Sequence, residues 1–423
     1  YNTNGIDLLP NQIDNTIIEN TNLQVNDIQY EKTNSTSAEI RIEVGNPNNF
    51  EITNIEIEDM KINITDIRSS NGTTYIMLIG TPERYYDSYK LESIKYKDQD
   101  NEKTEEVHAK IELQFFKELY SYNDWQDIED VTYQNYRLMQ DIDFAGRNNV
   151  KTNVTVGRLE SEGYEIKNMN VNFSSTSEGI IGSITLSLQG VTFDNINIEN
   201  NNSASYVGVI INNTAKVNNI TFKNIKILAP QSSYVGMIAN NSSNEVSNIN
   251  LNEINITGKE YIGGLTPRLS GLEINKIYAD EITIQATGNN IGGIVGENAS
   301  GKIDDIKATD VDVSGNNQVG GVVGFCQYGN EKTDNIEINN AVINGNDVIG
   351  GIVGSLRNAA NNLTAININV SGNNQVGGLI GKKNGIVNYS KIQDSTVSGI
   401  NQVGGIVGCS ERGDHIVVYV KNS

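Results

Sequence analysis

The stretch SGNNQVGGVVG at 314–324 recurs as SGNNQVGGLIG at 371–381 and, more loosely, as SGINQVGGIVG at 398–408. Anchoring each copy on its first V/I-G glycine gives Gly208, Gly236, Gly263, Gly292, Gly320, Gly350, Gly377 and Gly404, spaced by 28, 27, 29, 28, 30, 27 and 27 residues. A period of this length constrains the fold strongly, because each unit must bury its apolar face against copies of itself. A second signature precedes each anchor: TFDNINI, TFKNIKI, NLNEINI, YADEITI, KATDVDV, INNAVI, AININV and IQDSTV. Leucine-rich repeats share the length, but their leucine frame is absent. Propeller blades need about 40–50 residues. Glycine and β-branched residues sit where a helical repeat would not tolerate them. What remains is a parallel β-helix over residues 146–423, one coil per unit. Its expected hand is right, the usual hand of parallel β connections. Eight anchored coils stacked at about 4.8 Å would reach roughly 40 Å. SEGIIGSI at 177–184 reads as a degenerate earlier copy.

Within the motif, alternation points Val319 inward, in register with Val207, Val235, Ile262, Ile291, Ile349, Val376 and Val403. Such a stack buries apolar area at about 25 cal/mol per Å². The paired glycines suit a place where backbones approach closely or bend. Gly315, Gly345, Gly372 and Gly399 lie five residues before the anchor, and Asn317, Asp347, Asn374 and Asn401 three before it. These residue types tolerate left-handed backbone, so this stretch is expected to form the tight corner, with stacked asparagines hydrogen-bonding along the rod. Two residues before the anchor stand Tyr206, Tyr234, Tyr261, Asn290, Gln318, Val348, Gln375 and Gln402, expected on the outward face. Tyr206, Tyr234, Tyr261 and Gln318 are the candidate partner-binding ladder, for sugar rings or a protein. The plainer reading is that such a ladder stabilises the sheet through same-face neighbours.

Ahead of the repeats the pattern differs. Residues 1–20 read as an extended leader. Residues 21–118 hold short alternating segments (AEIRIEV, FEITNIEIED, MKINITDI, TTYIMLI, YKLESIKYK and VHAKIELQFF) separated by the turn sequences GNPNN, SSNG and DQDNE. Six or seven strands without helical period predict an immunoglobulin-like β-sandwich. Residues 119–145 are expected to be a junction and cap. They contain a short helix within YSYNDWQDIED, with Asn123 or Asp124 as N-cap, followed by the alternating NYRLMQDIDF.

The chain carries 31 basic against 52 acidic residues, a formal net charge of −21, which disfavours nucleic acid and anionic lipid as partners. No run of about 18 apolar residues predicts insertion in a membrane. There is no signal peptide, and the ends, at Tyr1 and after VVYVKNS, read as cuts from a longer exported protein. Cys326 and Cys409 fall three coils, about 14 Å, apart, too far for a disulfide, so free thiols are expected. The two histidines, His108 and His415, are not in an HExxH, and neither nucleotide-binding loops nor the calcium repeat GGxGxDxUx occur. DDIKATDVDV at 304–313 reads as a solvated acidic face rather than a calcium site. Arg268, Lys302, Lys307, Arg357, Lys382 and Lys383 occupy dissimilar coil positions, with no paired-acid arrangement of the kind a polysaccharide lyase or hydrolase needs. No catalytic residue, cofactor or metal is expected.

The GGIVG, GGVVG and GGLIG units at 27–30-residue spacing resemble the GLUG motif of bacterial surface proteins. NYRLMQDIDF, preceded by the helix of Trp125, is similar to the Y-x-L-x-x-D-I-D lead-in to such β-helices. The resemblance covers about 120–423. GLUG arrays occur in secreted and wall-anchored proteins, including immunoglobulin A1-specific zinc metalloproteases. The resemblance implies a non-catalytic scaffold or substrate- and partner-binding region of an extracellular or cell-surface bacterial protein. Its zinc motif would lie in a separate domain, and its partner would be a host protein such as immunoglobulin A, or a glycan. A monomer is expected. The alternatives are an adhesin stalk with no protease attached and a carbohydrate-active β-helix.

Overall fold

The computed structural model describes residues 23–418 except 148, 175–176, 204, 243–244, 272, 328–331 and 412–415. The expected leader and His415 lie outside the described residues. The chain divides into two compact units, Tyr1–Lys117 with Gln134–Tyr136, and Glu118–Tyr133 with Arg137–Ser423. The expected junction, 119–145, therefore belongs to the second unit except for Gln134–Tyr136.

The first unit holds seven strands: β1 (Gln24–Asn34), β2 (Ser37–Gly45), β3 (Glu51–Ile57), β4 (Met60–Ser70), β5 (Thr73–Pro82), β6 (Tyr89–Asp98) and β7 (Asn101–Ile111). They form two antiparallel sheets, in the orders β1-β2-β5-β4 and β3-β6-β7. Alternate residues of both sheets meet in one buried cluster, with Ile40, Ile42, Ile76 and Leu78 from the first and Ile55, Leu91, Ile94 and Ala109 from the second. The turns fall where the sequence placed them. Gln99 and Asp100, at φ 50° and 71°, join β6 to β7, and two positive φ values in a two-residue hairpin match the right-handed strand twist. In GNPNN, Asn46 is fully buried. Its side chain donates to the Phe50 carbonyl at 2.8 Å and accepts from the Phe50 N–H at 2.9 Å. That closes the turn on itself where no water reaches.

The second unit opens with helix α1 (Tyr122–Gln126). Its N-cap is Ser121, whose hydroxyl accepts from the Asp124 N–H, rather than the expected Asn123 or Asp124. Serine one turn earlier leaves Asp124 inside the first turn, where its carboxylate accepts from the Ser121 hydroxyl at 2.9 Å and faces the positive end of the helix. Trp125 is fully buried, edge-on to Phe144 at 5.9 Å, and donates its indole N–H to the Lys151 carbonyl at 2.9 Å.

From Ile142 onward the strands pair in parallel, each with the strand one coil later, and build a β-solenoid of about nine turns at about 28 residues per coil. In one coil, Lys302–Ser314 forms the first long side, Asn317–Gly320 a short second strand and Val323–Cys326 a third. The expected rung exists: Ile262, Ile291, Val319, Ile349, Val376 and Val403 are consecutive partners, and all but Val403 are fully buried. Each such aliphatic side chain contributes about 1.5–3 kcal/mol by leaving water. The anchor glycines are required by space. A Cβ on Gly320 would stand 2.1 Å from the Val323 carbonyl oxygen, and one on Gly350 2.0 Å from that of Val353.

The corners differ from the expectation. Gly315 and Asn317 are not left-handed. A Cβ on Gly315 would lie 2.7 Å from Ile291 and 3.0 Å from Val319, so this glycine makes room for the rung. The left-handed residue is the next one along, the ladder position itself: Tyr234, Tyr261, Asn290, Gln318, Val348, Gln375 and Gln402, with φ between 37° and 62°. Two further left-handed residues, five apart, bend the long side, as at Asp305 and Asp310, Asn335 and Asn340, and Asn362 and Asn367. Each of these coils thus turns at three single residues, two of them Asn or Asp, which tolerate this region best.

Candidate functional site

The ladder position forms the third corner, where Tyr206, Tyr234, Tyr261, Gln318, Val348 and Gln375 are half-buried rather than fully outward, Asn290 is buried and Gln402 is exposed. The ring centroids of Tyr206 and Tyr234 lie 5.1 Å apart, and those of Tyr234 and Tyr261 4.7 Å apart and nearly parallel. The tyrosines therefore spend their faces on one another, and Tyr234, between the other two, has none left to offer a sugar ring. Burial raises the phenol pKa of Tyr234, with Tyr261 adding to it and Arg268 opposing. Burial also raises that of Tyr261, with Glu297 and Glu260 adding to it. Gln318 stands in the same column but faces different neighbours.

Beside this corner runs a second column, five residues past each anchor: Arg268, Glu297, Phe325, Ser355, Lys382 and Cys409 are successive partners. Arg268 and Lys382, expected at dissimilar coil positions, share it. Glu297 is buried, accepts from Gln327 and lies 3.9 Å from Arg268 on the preceding coil. Each of the two lies five residues past its anchor, Gly263 and Gly292, so the anchor spacing carried the signal for this acid–arginine pair on neighbouring coils.

Between the two columns, in the coils of Gln318 and Val348, lies an open cavity of about 320 Å³. Its wall carries Asn317, Gln318, Asp347, Ser355, Arg357 and Lys382, with Val348 as its aliphatic part. Asp347 accepts from the Asn374 amide, Lys382 pairs with Glu411 at 2.5 Å, and Arg357 lies over the Phe325 ring at 5.0 Å. The buried Oδ1 of Asn317 has no hydrogen-bond partner, and neither has that of Asn289, which also lines the cavity. The arrangement presents donors, acceptors, one aliphatic surface and an oriented guanidinium, the inventory of a site for a polar ligand with an apolar face.

The remaining candidates are structural. Asparagines join the coils: Asn362 donates to Asn335 at 2.8 Å, Asn335 to Asp304 at 2.7 Å, and Asn401 to Asn374 at 2.8 Å. Asp304 and Asp310 of the acidic stretch are acceptors in these ladders, Asp310 from Asn340. Lys302 pairs with Glu273 at 2.7 Å and Asp304 at 3.1 Å. Lys383 points into the core, fully buried, and donates to the Gly385 carbonyl at 3.0 Å. Cys326 and Cys409 are both free; Cys326 partners Leu356 and then Lys383 in the inward column, while Cys409 partners Lys382 in the outward one. Burial pushes the Cys326 thiol up to about 12, so it is neutral at physiological pH. His108 lies exposed on β7 near Glu106. Among the described residues, no group of three or more His, Cys, Asp or Glu could hold a metal ion, and no helix is long and apolar enough to cross a membrane.

The fold and this groove define a parallel β-solenoid with a polar cavity on one corner. No family model matches the chain, and no curated protein matches it. Two solved structures are similar to it, each over 94% of this chain and 99% of its own. One is the catalytic domain of a GH87 alpha-1,3-glucanase in complex with nigerose, at 11% identity and a TM-score of 0.26. The other is a Yersinia enterocolitica family 28 exopolygalacturonase, at 10% identity and a TM-score of 0.19. Likenesses at these scores carry no argument about the activity of this chain.

Proposed function

We propose that this chain is a non-catalytic, glycan-binding region of an exported bacterial surface protein, an immunoglobulin-like sandwich followed by a right-handed β-helix. The observation that carries the reading is the cavity beside the third corner, where amides, a hydroxyl, an arginine and one aliphatic side chain face the same space. The sandwich is supported by the strand orders β1-β2-β5-β4 and β3-β6-β7, which correspond to the ABED and CFG sheets of constant-type immunoglobulin domains. The right hand follows the general rule for parallel connections. The surface setting, and with it the immunoglobulin A1 protease-type parent, rests on the GLUG-like repeats; an HExxH motif in sequence flanking this region tests it.

The experiment is a glycan array with the 423-residue chain, followed by a reducing-end assay on whatever binds. Saturable binding without product supports the proposal, and a blank array sinks it. A second reading, a carbohydrate-active β-helix, is favoured by the Arg268–Glu297 pair, since a lyase or hydrolase needs an acid next to a cation or a second acid. If product forms and Glu297→Gln abolishes it in a folded protein, the second reading replaces the first.

A further inference from the structure

The column three residues before the anchors is closed at one end and broken at the other. Asn401 donates its amide to Asn374 at 2.8 Å, and Asn374 donates in turn to Asp347, each bond reaching back one coil. There the run stops, because a carboxylate accepts but has no N–H to pass to Asn317 on the coil before. The Oδ1 atoms of Asn317, and of Asn289 one coil further back, are buried and have no hydrogen-bond partner. An acceptor left dry and unpaired in this way is costly. Both residues, with Asp347, line the cavity of about 320 Å³ at the third corner. Acceptors on three successive coils, stacked about 4.8 Å apart, therefore border one space, and two of them lack a donor.

We propose, resting on the glycan-binding reading, that this cavity takes one uncharged pyranose ring of a glycan, two of whose hydroxyls donate to Asn317 Oδ1 and Asn289 Oδ1. The lining decides the class. A carboxylate or a sulfate ester brings acceptors alone at neutral pH and leaves both amide oxygens unpaired. The charges on the wall cancel, since Lys382 pairs with Glu411 at 2.5 Å while Arg357 and Asp347 are opposite in sign, so no net charge on a ligand is favoured. A hydroxyl donates without bringing charge. Val348 adds an aliphatic surface for the C–H face of the ring, and Gln318 and Ser355 border the same space with further donors and acceptors. The volume is at the lower end for a ligand site, which suits one ring rather than a longer stretch of chain.

The test titrates the full chain with neutral trisaccharides of glucose, galactose and mannose, and with their counterparts ending in a uronic acid. A neutral sugar should bind, and its acid-ended counterpart should bind no tighter. On the sugar that binds, hydroxyls are replaced one at a time by hydrogen or by fluorine, which accepts weakly and cannot donate. Two positions should emerge where either replacement weakens binding about tenfold, because each leaves an amide oxygen unpaired. Asp347→Asn supplies the missing donor and extends the ladder to Asn317, so it should raise the melting temperature and weaken binding by a similar factor. Asn317→Leu removes one orphaned oxygen and should weaken binding without lowering the melting temperature. A role confined to the rod would move stability and leave binding alone. Tighter or exclusive binding of acid-ended sugars, no hydroxyl at which hydrogen and fluorine act alike, or undiminished binding by either variant would each overturn this inference and leave the glycan-binding reading standing. If no sugar of any kind binds, both fall.

Discussion

The two units use left-handed residues in opposite ways. In the antiparallel unit they occur at single turns, such as Asn71 before Gly72 and Gln99–Asp100, and each serves one connection. In the solenoid they recur at the same corner of successive coils, and their side chains bond or stack on the corner above and below, as in Asn362 to Asn335 and Tyr234 to Tyr261. A hairpin turn is therefore a local device whose cost is local, whereas a corner is a shared one. A substitution in a corner or a rung is felt by three coils.

That contrast can be broken at glycine first. Gly320→Ala drives a Cβ into the backbone of its own coil and should cost about 3 kcal/mol or more. Gly72→Ala, at φ 77° with Pro47 at 3.5 Å, should cost only about 1 kcal/mol. Chemical denaturation of the two variants measures both, and equal costs would erase the distinction. Tyr234→Ala removes two ring–ring contacts and should destabilise by about 1–2 kcal/mol, while leaving binding at the Arg357 cavity unchanged by calorimetric titration. Val348→Asn exchanges the least suitable corner residue for a type that other corners use, and should stabilise by about 1 kcal/mol in a thermal melt.

The smallest effect concerns pH. In the solenoid unit, Lys167 holds the Asp141 carboxyl below its usual range, Asn168 does the same for Asp143, and Lys216 with Ser247 for Glu245. A carboxyl depressed in the folded state stabilises above its unfolded pKa, and that stability is lost as pH falls through the folded value. Stability should thus be flat near neutrality and decline below about pH 4. Solvent screening keeps each contribution under about 1 kcal/mol. Comparing unfolding at pH 7 and pH 3 tests the direction. Asp143→Asn, which keeps an amide as acceptor for Asn168, should lessen the decline.

The rung and the anchor glycines were legible in the sequence because burial and lack of space each dictate a residue type at every copy. The corner was misplaced by one residue for a physical reason. Propensity pointed to Asn317, but the left-handed residue is Gln318, at a position that also holds Tyr261 and Val348. Stacking along the rod overrides local preference there. The Asn and Asp residues five apart in VDV- and NIN-type segments carried the other two corners and went unread, since alternation alone had already explained those segments as strands. Coil length varies, but Arg268 and Glu297 each lie five residues past an anchor glycine, so the anchors already aligned them and the sequence lacked only the 3.9 Å approach of the two side chains.

That variable length lies mostly on one side. The first two corners stay five residues apart in coil after coil, from Asn219 and Asn224 to Asp394 preceded by Tyr389, while the stretch from the third corner to the next coil ranges from Val348–Asn362 to the longer Gln318–Asn335. Gln318 and Gln375 are equivalent points two coils apart, inside nearly identical sequence. Recombination between the two copies would excise or duplicate whole coils and leave every rung facing a matching rung. Such a gene can change the reach of its product, and the number of surfaces it displays, in a single event that the fold does not oppose.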